Sequence, residues 1–473
     1  MLTADQLPPI IQGGMGAAVS SWRLAKAVSQ TGQLGVVSGV ALDLVLARRL
    51  QDGDPAGDVR RALAAFPRQE MAQRVLDRYF IEGGRSADAP YAPVPRLTAS
   101  PQARSTELVV LGSFVEVWLA KEGHSGLVGI NALEKIQLST PATLLGAMIA
   151  GVDVVLMGAG VPREIPHTLD VLAAGQAVAF PIDVEGAPAG SVTLDVDPVA
   201  LLGPDLPPLV RPVFLAIVSA HVLAAFLARD EQIRPDGFVV EAPPAGGHNA
   251  PARKPVIENG ELVFGPRDEP DLQKIADLGL PFWLAGAAGT PQALQAAISA
   301  GAKGVQVGTV FALSSDSGIT DDLRNEMLAG VRADTLHVKT DPLASPTGFP
   351  FKVVQLEGTM SDETAAEERE RLCDLGFLRQ PYLRPDGQVG YRCPSEPAEM
   401  YAKKSGDAND TVGRACICNG LTATVGLGQI RKDGYRELPI VTLGSDLTSA
   451  RALLDRHPEG WDATQVVDWL SNV

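Results

Sequence analysis

His248 closes the stretch VVEAPPAGGH, residues 239–248, directly after two glycines and at the end of an apolar run. A neutral imidazole in such a place can accept a proton from a substrate carbon or donate to a developing oxyanion. Gly246 and Gly247 leave no side chain beside it and permit positive φ, so the loop can fold back over the strand end. The bland alternative is a histidine on a surface loop. Where the strand before it ends decides between the two.

Two small-residue clusters lie further on. AGAAG (285–289) contains Gly286 and Ala287 and is followed by Thr290, a helix cap. Backbone N–H groups there can come close to a phosphate. Gly308 and Thr309 follow the next apolar run and supply a further N–H and a hydroxyl. Each cluster alone reads equally as tight packing of strand on helix. Two on consecutive strands point to phosphate. QGGMG (12–16) carries Gly13, Gly14 and Met15. It is either a plain turn or a backbone passing a flat ring with Met15 packed on it. Asn131 ends another run, as a turn former or as an amide hydrogen-bonding a heterocycle.

These residues act together only on a scaffold that gathers strand ends. Eight apolar runs supply it: 8–14, 34–40, 126–131, 152–160, 212–219, 236–242, 281–287 and 304–312. They are continuous rather than alternating, as parallel strands covered on both faces are. Helical stretches lie between them, among them 20–32, 140–151, 219–230, 269–279 and 290–301, several with a Ser or Thr start and a glycine stop. Eight such alternations predict an α/β fold, a TIM (β/α)8 barrel over residues 1–330, with a doubly wound open sheet as the alternative. Two stretches break the rhythm, a charged Pro-rich excursion over about 52–107 and another over about 177–208 that begins as a hairpin. Residues 331–473 lose the rhythm and read as an appended cap. Within them 339–353 is rich in turn formers, suiting a lid, and 361–372 is a capped, solvated helix.

The formal net charge is −16, which argues against a nucleic-acid surface. No apolar run approaches the roughly 18 residues of a membrane span, and the first residues do not read as a secretory signal. All four cysteines fall between 373 and 418. Such clustering suggests a metal or iron–sulfur site, but C-x-C is not the usual zinc spacing and no histidine lies among them. They are expected to be buried free thiols with no metal, in a reducing cytoplasm.

Taken together, PPIIQGGMG, VVEAPPAGGHN, PFWLAGAAG and GAKGVQVGTVF resemble, in order and spacing, the nitronate monooxygenase (2-nitropropane dioxygenase) family, which includes FMN-dependent enoyl-acyl-carrier-protein reductases. The resemblance spans about residues 8–315. It implies a barrel that binds FMN non-covalently, with the phosphate on Gly286, Ala287, Gly308 and Thr309. It places the isoalloxazine near Gly13, Gly14, Met15 and Asn131, with Gly246 and Gly247 among the flavin contacts. Ser219 falls where the family often has a polar residue after the fifth strand, and His248 on the family's catalytic histidine. The sequence departs from the family pattern at QGGM, where QGPM is usual, at Ala287, which takes a glycine position, and at the Pro243–Pro244 pair.

Three activities follow as expectations. The first is oxidation of nitronates or nitroalkanes with O2, with His248 as the base. The second is an FMN- and NAD(P)H-dependent enoyl-thioester reductase of fatty-acid or polyketide synthesis. The third is a barrel module without catalysis. The expected partner is a small-molecule substrate, with a homodimer as one assembly.

Overall fold

Each apolar run became a parallel strand, shorter than its sequence signal except in the third, which keeps its length but lies two residues further on. In the computed structural model, which describes residues 2–204 and 207–472, the strands are β1 (Ile10–Gln12), β2 (Gly35–Ser38), β3 (Val128–Leu133), β4 (Val154–Gly158), β5 (Val213–Val218), β6 (Gly237–Glu241), β7 (Phe282–Ala285) and β8 (Gly304–Val307). The excursion expected over 177–208 is therefore described except at Asp205 and Leu206, and Met1 and Val473 also lie outside the described residues. The strands pair in the order β1-β8-β7-β6-β5-β4-β3-β2. A parallel bridge between Ile11 and Leu34 joins the two ends of that order. Its hydrogen bonds run from the Gln12 N–H to the Leu34 carbonyl at 2.9 Å and from the Leu34 N–H to the Ile10 carbonyl at 3.1 Å. The sheet is a closed (β/α)8 barrel rather than an open doubly wound one.

The continuous apolar pattern has a direct cause. Val36, Leu156, Leu215, Val239 and Trp283 fill the barrel interior, while their neighbours Val37, Val155, Phe214, Val240 and Phe282 pack outward against helices. Successive side chains point to opposite faces, and both faces are buried. Trp283 is fully buried, and its indole N–H donates to the Pro8 carbonyl at 3.0 Å, closing the N-terminal end of the barrel.

Helices surround the strands, among them α1 (Trp22–Gln30), α2 (Leu42–Gln51), α3 (Ala103–Lys121), α4 (Thr140–Ile149), α5 (Ile165–Ala173), α6 (His221–Arg229) and α7 (Pro291–Ser299). Thr290 caps α7, its hydroxyl accepting from the Ala293 N–H at 3.1 Å. The excursion after β2 contains two helices, Asp58–Ala64 and Gln69–Tyr79, but its last residues belong to α3. The expected boundary at 107 cut through that helix. α3 is buried almost all round, from Leu108 through Val117, so it has no polar face to give a visible period.

The stretch 178–196 is an antiparallel hairpin, as expected. It is joined through Glu185 to a second hairpin, 380–383 with 389–392. The 339–353 stretch falls on a third hairpin, β9 (Val338–Asp341) with β10 (Phe351–Val354). The 361–372 stretch is helical only over Glu363–Glu368, and its cap is Asp362 rather than Ser361. Beyond it lie α8 (Ile417–Thr424), α9 (Thr448–Arg456) and α10 (Ala463–Ser471), the last packed against α1 and α7 on the outside of the barrel. Among the described residues no helix is long and apolar enough to cross a membrane.

Candidate active site

The C-terminal ends of the strands open on one cavity of about 240 Å³. Gly13, Gly14, Met15, Asn131, Gly246, Gly247, His248, Gly286, Ala287, Gly308 and Thr309 all line it. Ser219 does not. It faces a smaller neighbouring cavity with Asn249, Arg253 and Asp268, and Glu241 is common to both linings.

Local geometry explains several of these residues. The Asn131 amide donates to the Gly14 carbonyl at 2.9 Å. A Cβ on Gly14 would lie 2.3 Å from the Asn131 Cβ, so the glycine is dictated by Asn131. Gly13 donates its N–H to the Val307 carbonyl at 2.8 Å, which ties the first loop to the last strand. The two glycines before His248 have different reasons. Gly247 sits at φ 78°, where a side chain would be strained. A Cβ on Gly246 would come within 2.8 Å of the Leu443 backbone, which crosses directly above it.

His248 is held by the third hairpin. It forms a β-bridge with Phe351, and the two rings meet edge to face with centroids 4.8 Å apart. Lys352 donates its N–H to the Gly247 carbonyl and Asn249 donates to the Pro350 carbonyl, each at 2.9 Å. Nε2 of His248 lies 2.7 Å from Oγ of Ser345. Burial, and secondarily the ammonium of Lys135, push the imidazole down to about 4. It is therefore neutral at physiological pH.

Glu241 is a titratable residue of this cavity that the sequence reading passed over, although it stands in the quoted motif. It ends β6, opposite Ala285 of β7. Burial without a cationic partner pushes its carboxyl up to about 8, so near neutrality it carries a proton.

The residues present suit a flavin nucleotide. The backbone N–H groups of Ala287, Ala288, Gly289 and Gly308 have no acceptor among the described residues, and they cluster after β7 and β8. Ser449, at the start of α9, adds a hydroxyl beside Gly289, which a Cβ on that glycine would meet at 3.1 Å. Gln306 lines the cavity with its Oε1 buried and unpartnered. The Thr309 hydroxyl accepts from the Gly444 N–H at 3.0 Å, which leaves its own proton to donate. Ala287 holds the left-handed conformation at φ 55°, where glycine would be unstrained. No sequence signal marked Ser449, because it reaches the site from the far end of the chain. Gln306 was visible inside GVQVGT.

The nitronate monooxygenase family model matches residues 209–343, which cover β5 to β8 and His248. No curated protein matches the chain. Among solved structures, the enoyl reductase domain of MlnA from the macrolactin biosynthesis cluster of Bacillus amyloliquefaciens is 13% identical, with a TM-score of 0.50, over 98% of this chain and 92% of that one. FabK from Thermotoga maritima is 15% identical, with a TM-score of 0.47, over 98% and 91%. A nitroalkane oxidase from Streptomyces ansochromogenes is 15% identical, with a TM-score of 0.46, over 98% and 94%. The family match, lying on the half of the barrel that carries His248, bears out the resemblance to the nitronate monooxygenase family and the expectation of an oxidoreductase enzyme.

Proposed function

We propose that the chain is an FMN-dependent oxidoreductase that oxidises nitronates or nitroalkanes with O2. The observation that carries this reading is the convergence of a neutral His248 and the unclaimed N–H groups after β7 and β8 on one cavity. Residues 1–330 would form the FMN-binding barrel and residues 331–473 its cap. FMN, when bound, supplies the redox chemistry. Gly286, Ala287, Gly308, Thr309 and Ser449 would hold its phosphate, and Gly13, Gly14, Met15, Asn131 and Gln306 would border its ring, with Gly246 and Gly247 close by.

The protein's own part is to bind, orient and move a proton. With Nε2 of His248 protonated and donating to Ser345, the lone pair of Nδ1 is free to take a carbon-bound proton. Ser345 in turn stands 2.8 Å from Thr347 Oγ1, so a proton on its hydroxyl has an acceptor. Phe351 packs edge to face on the imidazole, and the Leu443 backbone lies over the loop before it.

Glu241 favours a second reading. An enoyl-thioester reductase must protonate a carbon, and a carboxyl still protonated near neutrality can donate where an imidazole with a pKa of about 4 cannot. Anaerobic titration separates the two. Bleaching of the flavin by a nitronate alone supports the first reading, and bleaching only by NADH or NADPH supports the second. A preparation that neither contains nor takes up FMN overturns both and leaves a binding module.

A further inference from the structure

Behind the wall of the main cavity lies a second, much smaller one of about 10 Å³, lined by Cys373, Cys393, Cys416 and Cys418. These are all the cysteines of the chain. They arrive on three separate segments, and side-chain hydrogen bonds tie those segments together. The Ser395 hydroxyl donates to the Ala415 carbonyl at 2.6 Å, joining the Cys393 loop to the Cys416 loop. The Asn419 amide donates to the Asp374 carboxylate at 2.6 Å and reaches Sγ of Cys416 at 3.5 Å, joining the Cys373 loop to the same place. Cys416 is also the residue that precedes the first turn of α8.

The charges around the thiols are unusual. Arg371 is within electrostatic reach of Cys393 and Cys416, and Arg379 of Cys373 and Cys393. Both guanidiniums donate only to backbone carbonyls: Arg371 to Pro394, Ser395 and Thr411, and Arg379 to Gly376 and Leu97. The nearby carboxylate of Glu396 is occupied by Lys404 and by the Cys393 N–H, and Arg369 is occupied by Glu437. Two half-buried cations without a carboxylate partner thus stand beside the cysteine cluster, met only by backbone carbonyls and, for Arg379, by the Tyr391 ring 4.8 Å away.

We propose that Cys373, Cys393, Cys416 and Cys418 bind one thiophilic divalent cation of the Zn²⁺ class, which fastens the three segments together behind the main cavity. Four thiols would release their protons to solvent on binding, and the tetrathiolate would carry a net double negative charge opposite Arg371 and Arg379. The cavity has room for roughly one atom-sized guest, which suits a single ion and not an iron–sulfur cluster. In the present structure the thiols are all free and the site is empty, and among the described residues no three His, Cys, Asp or Glu side chains as placed could hold a metal ion. A cysteine turns about one torsion, so the sulfurs can close on an ion by changing rotamer. The C-x-C spacing, which argued against a metal when read as sequence, matters less once the other two ligands come from distant loops.

Elemental analysis of the full chain, purified without chelator, tests this. The expected result is one zinc per chain, with all four thiols unreactive towards a thiol reagent until a chelator is added. Co²⁺ in place of Zn²⁺ should give sulfur-to-metal charge-transfer absorption, measured as a difference spectrum. Arg371→Gln should keep the site but weaken Zn²⁺ about tenfold, as loss of an outer-shell partner does. Four freely reactive thiols in folded protein that takes up neither Zn²⁺ nor Co²⁺ would overturn the proposal. So would a Cys373–Cys393 disulfide found in native protein, bound iron with labile sulfide, or undiminished zinc in Cys393→Ser.

Discussion

Oγ of Ser345 stands 2.7 Å from Nε2 of His248, though the two residues are 97 positions apart in the chain. The serine belongs to the turn between β9 and β10, so the hairpin that covers the loop also supplies the hydrogen-bond partner of the imidazole. Ser345→Ala should leave the fold intact and lower the rate on a nitroalkane, with little change in flavin content. Equal rates in variant and parent would show that the Ser345–His248 hydrogen bond has no part in the reaction.

His248→Ala is expected to fold, keep its flavin and lose about 10²–10⁴-fold in rate on a neutral nitroalkane, the usual worth of a general base. The loss on a pre-formed nitronate should be smaller, because that proton is already gone. Steady-state rates with both substrates give the comparison, and unchanged turnover of both would make the imidazole a bystander.

Lys135 contributes to the depressed pKa of His248, after burial. Its ammonium also lies 5.2 Å from the ring of Phe349 in the same hairpin turn. Lys135→Met should raise the imidazole pKa by less than burial lowers it, and the acid limb of the pH–rate profile should move to higher pH. A limb that stays in place rules out that electrostatic link.

Glu241 gives a stability prediction with a definite sign. Its carboxyl is pushed up from the ordinary 4.5 to about 8 when folded, so the folded state holds the proton more tightly. The group's contribution is fully present below the unfolded pKa and is lost as pH rises through about 8. Glu241→Gln should therefore raise Tm above pH 8 and leave it nearly unchanged near pH 4.5. Thermal melts of flavin-free protein across that range check it, and a constant difference at every pH would contradict the assigned burial.

Gly308→Asp should remove FMN from the purified protein, because the carboxylate would crowd the unclaimed N–H groups after β7 and β8. Val412→Ser, at an exposed position, is the control. Ala287→Gly should bind FMN at least as well as the parent and be slightly more stable, since it relieves a left-handed alanine. Equal FMN content in Gly308→Asp and Val412→Ser would mean that the phosphate lies elsewhere.

The barrel was legible because its strands are buried on both faces, which leaves unbroken apolar runs such as VDVVLMG. The strand-end residues were legible for the same reason, since the runs say where the mouth is. α3 escaped because burial all round hides its period. Ser219 was placed by likeness of position after β5, but it turns into the neighbouring cavity. Glu241 was overlooked beside a more conspicuous histidine. Ser449 and Leu443 had no local signature, since their role comes only from the chain's return over the mouth.

That return has a kinetic consequence. Leu443 and Gly444 cross above Gly246, with the Ser445 N–H bonded to the Pro244 carbonyl at 3.0 Å and the Gly247 N–H to Thr442 Oγ1 at 2.8 Å. Thr442, Leu443 and Gly444 also line the main cavity, so a molecule that reaches them there touches the strap as well as the barrel. Lifting of the strap, a local opening of the backbone, would remove those contacts and speed the molecule's release. Amide exchange at Ser445 and Gly247 and the release rate of the bound molecule should slow and quicken together.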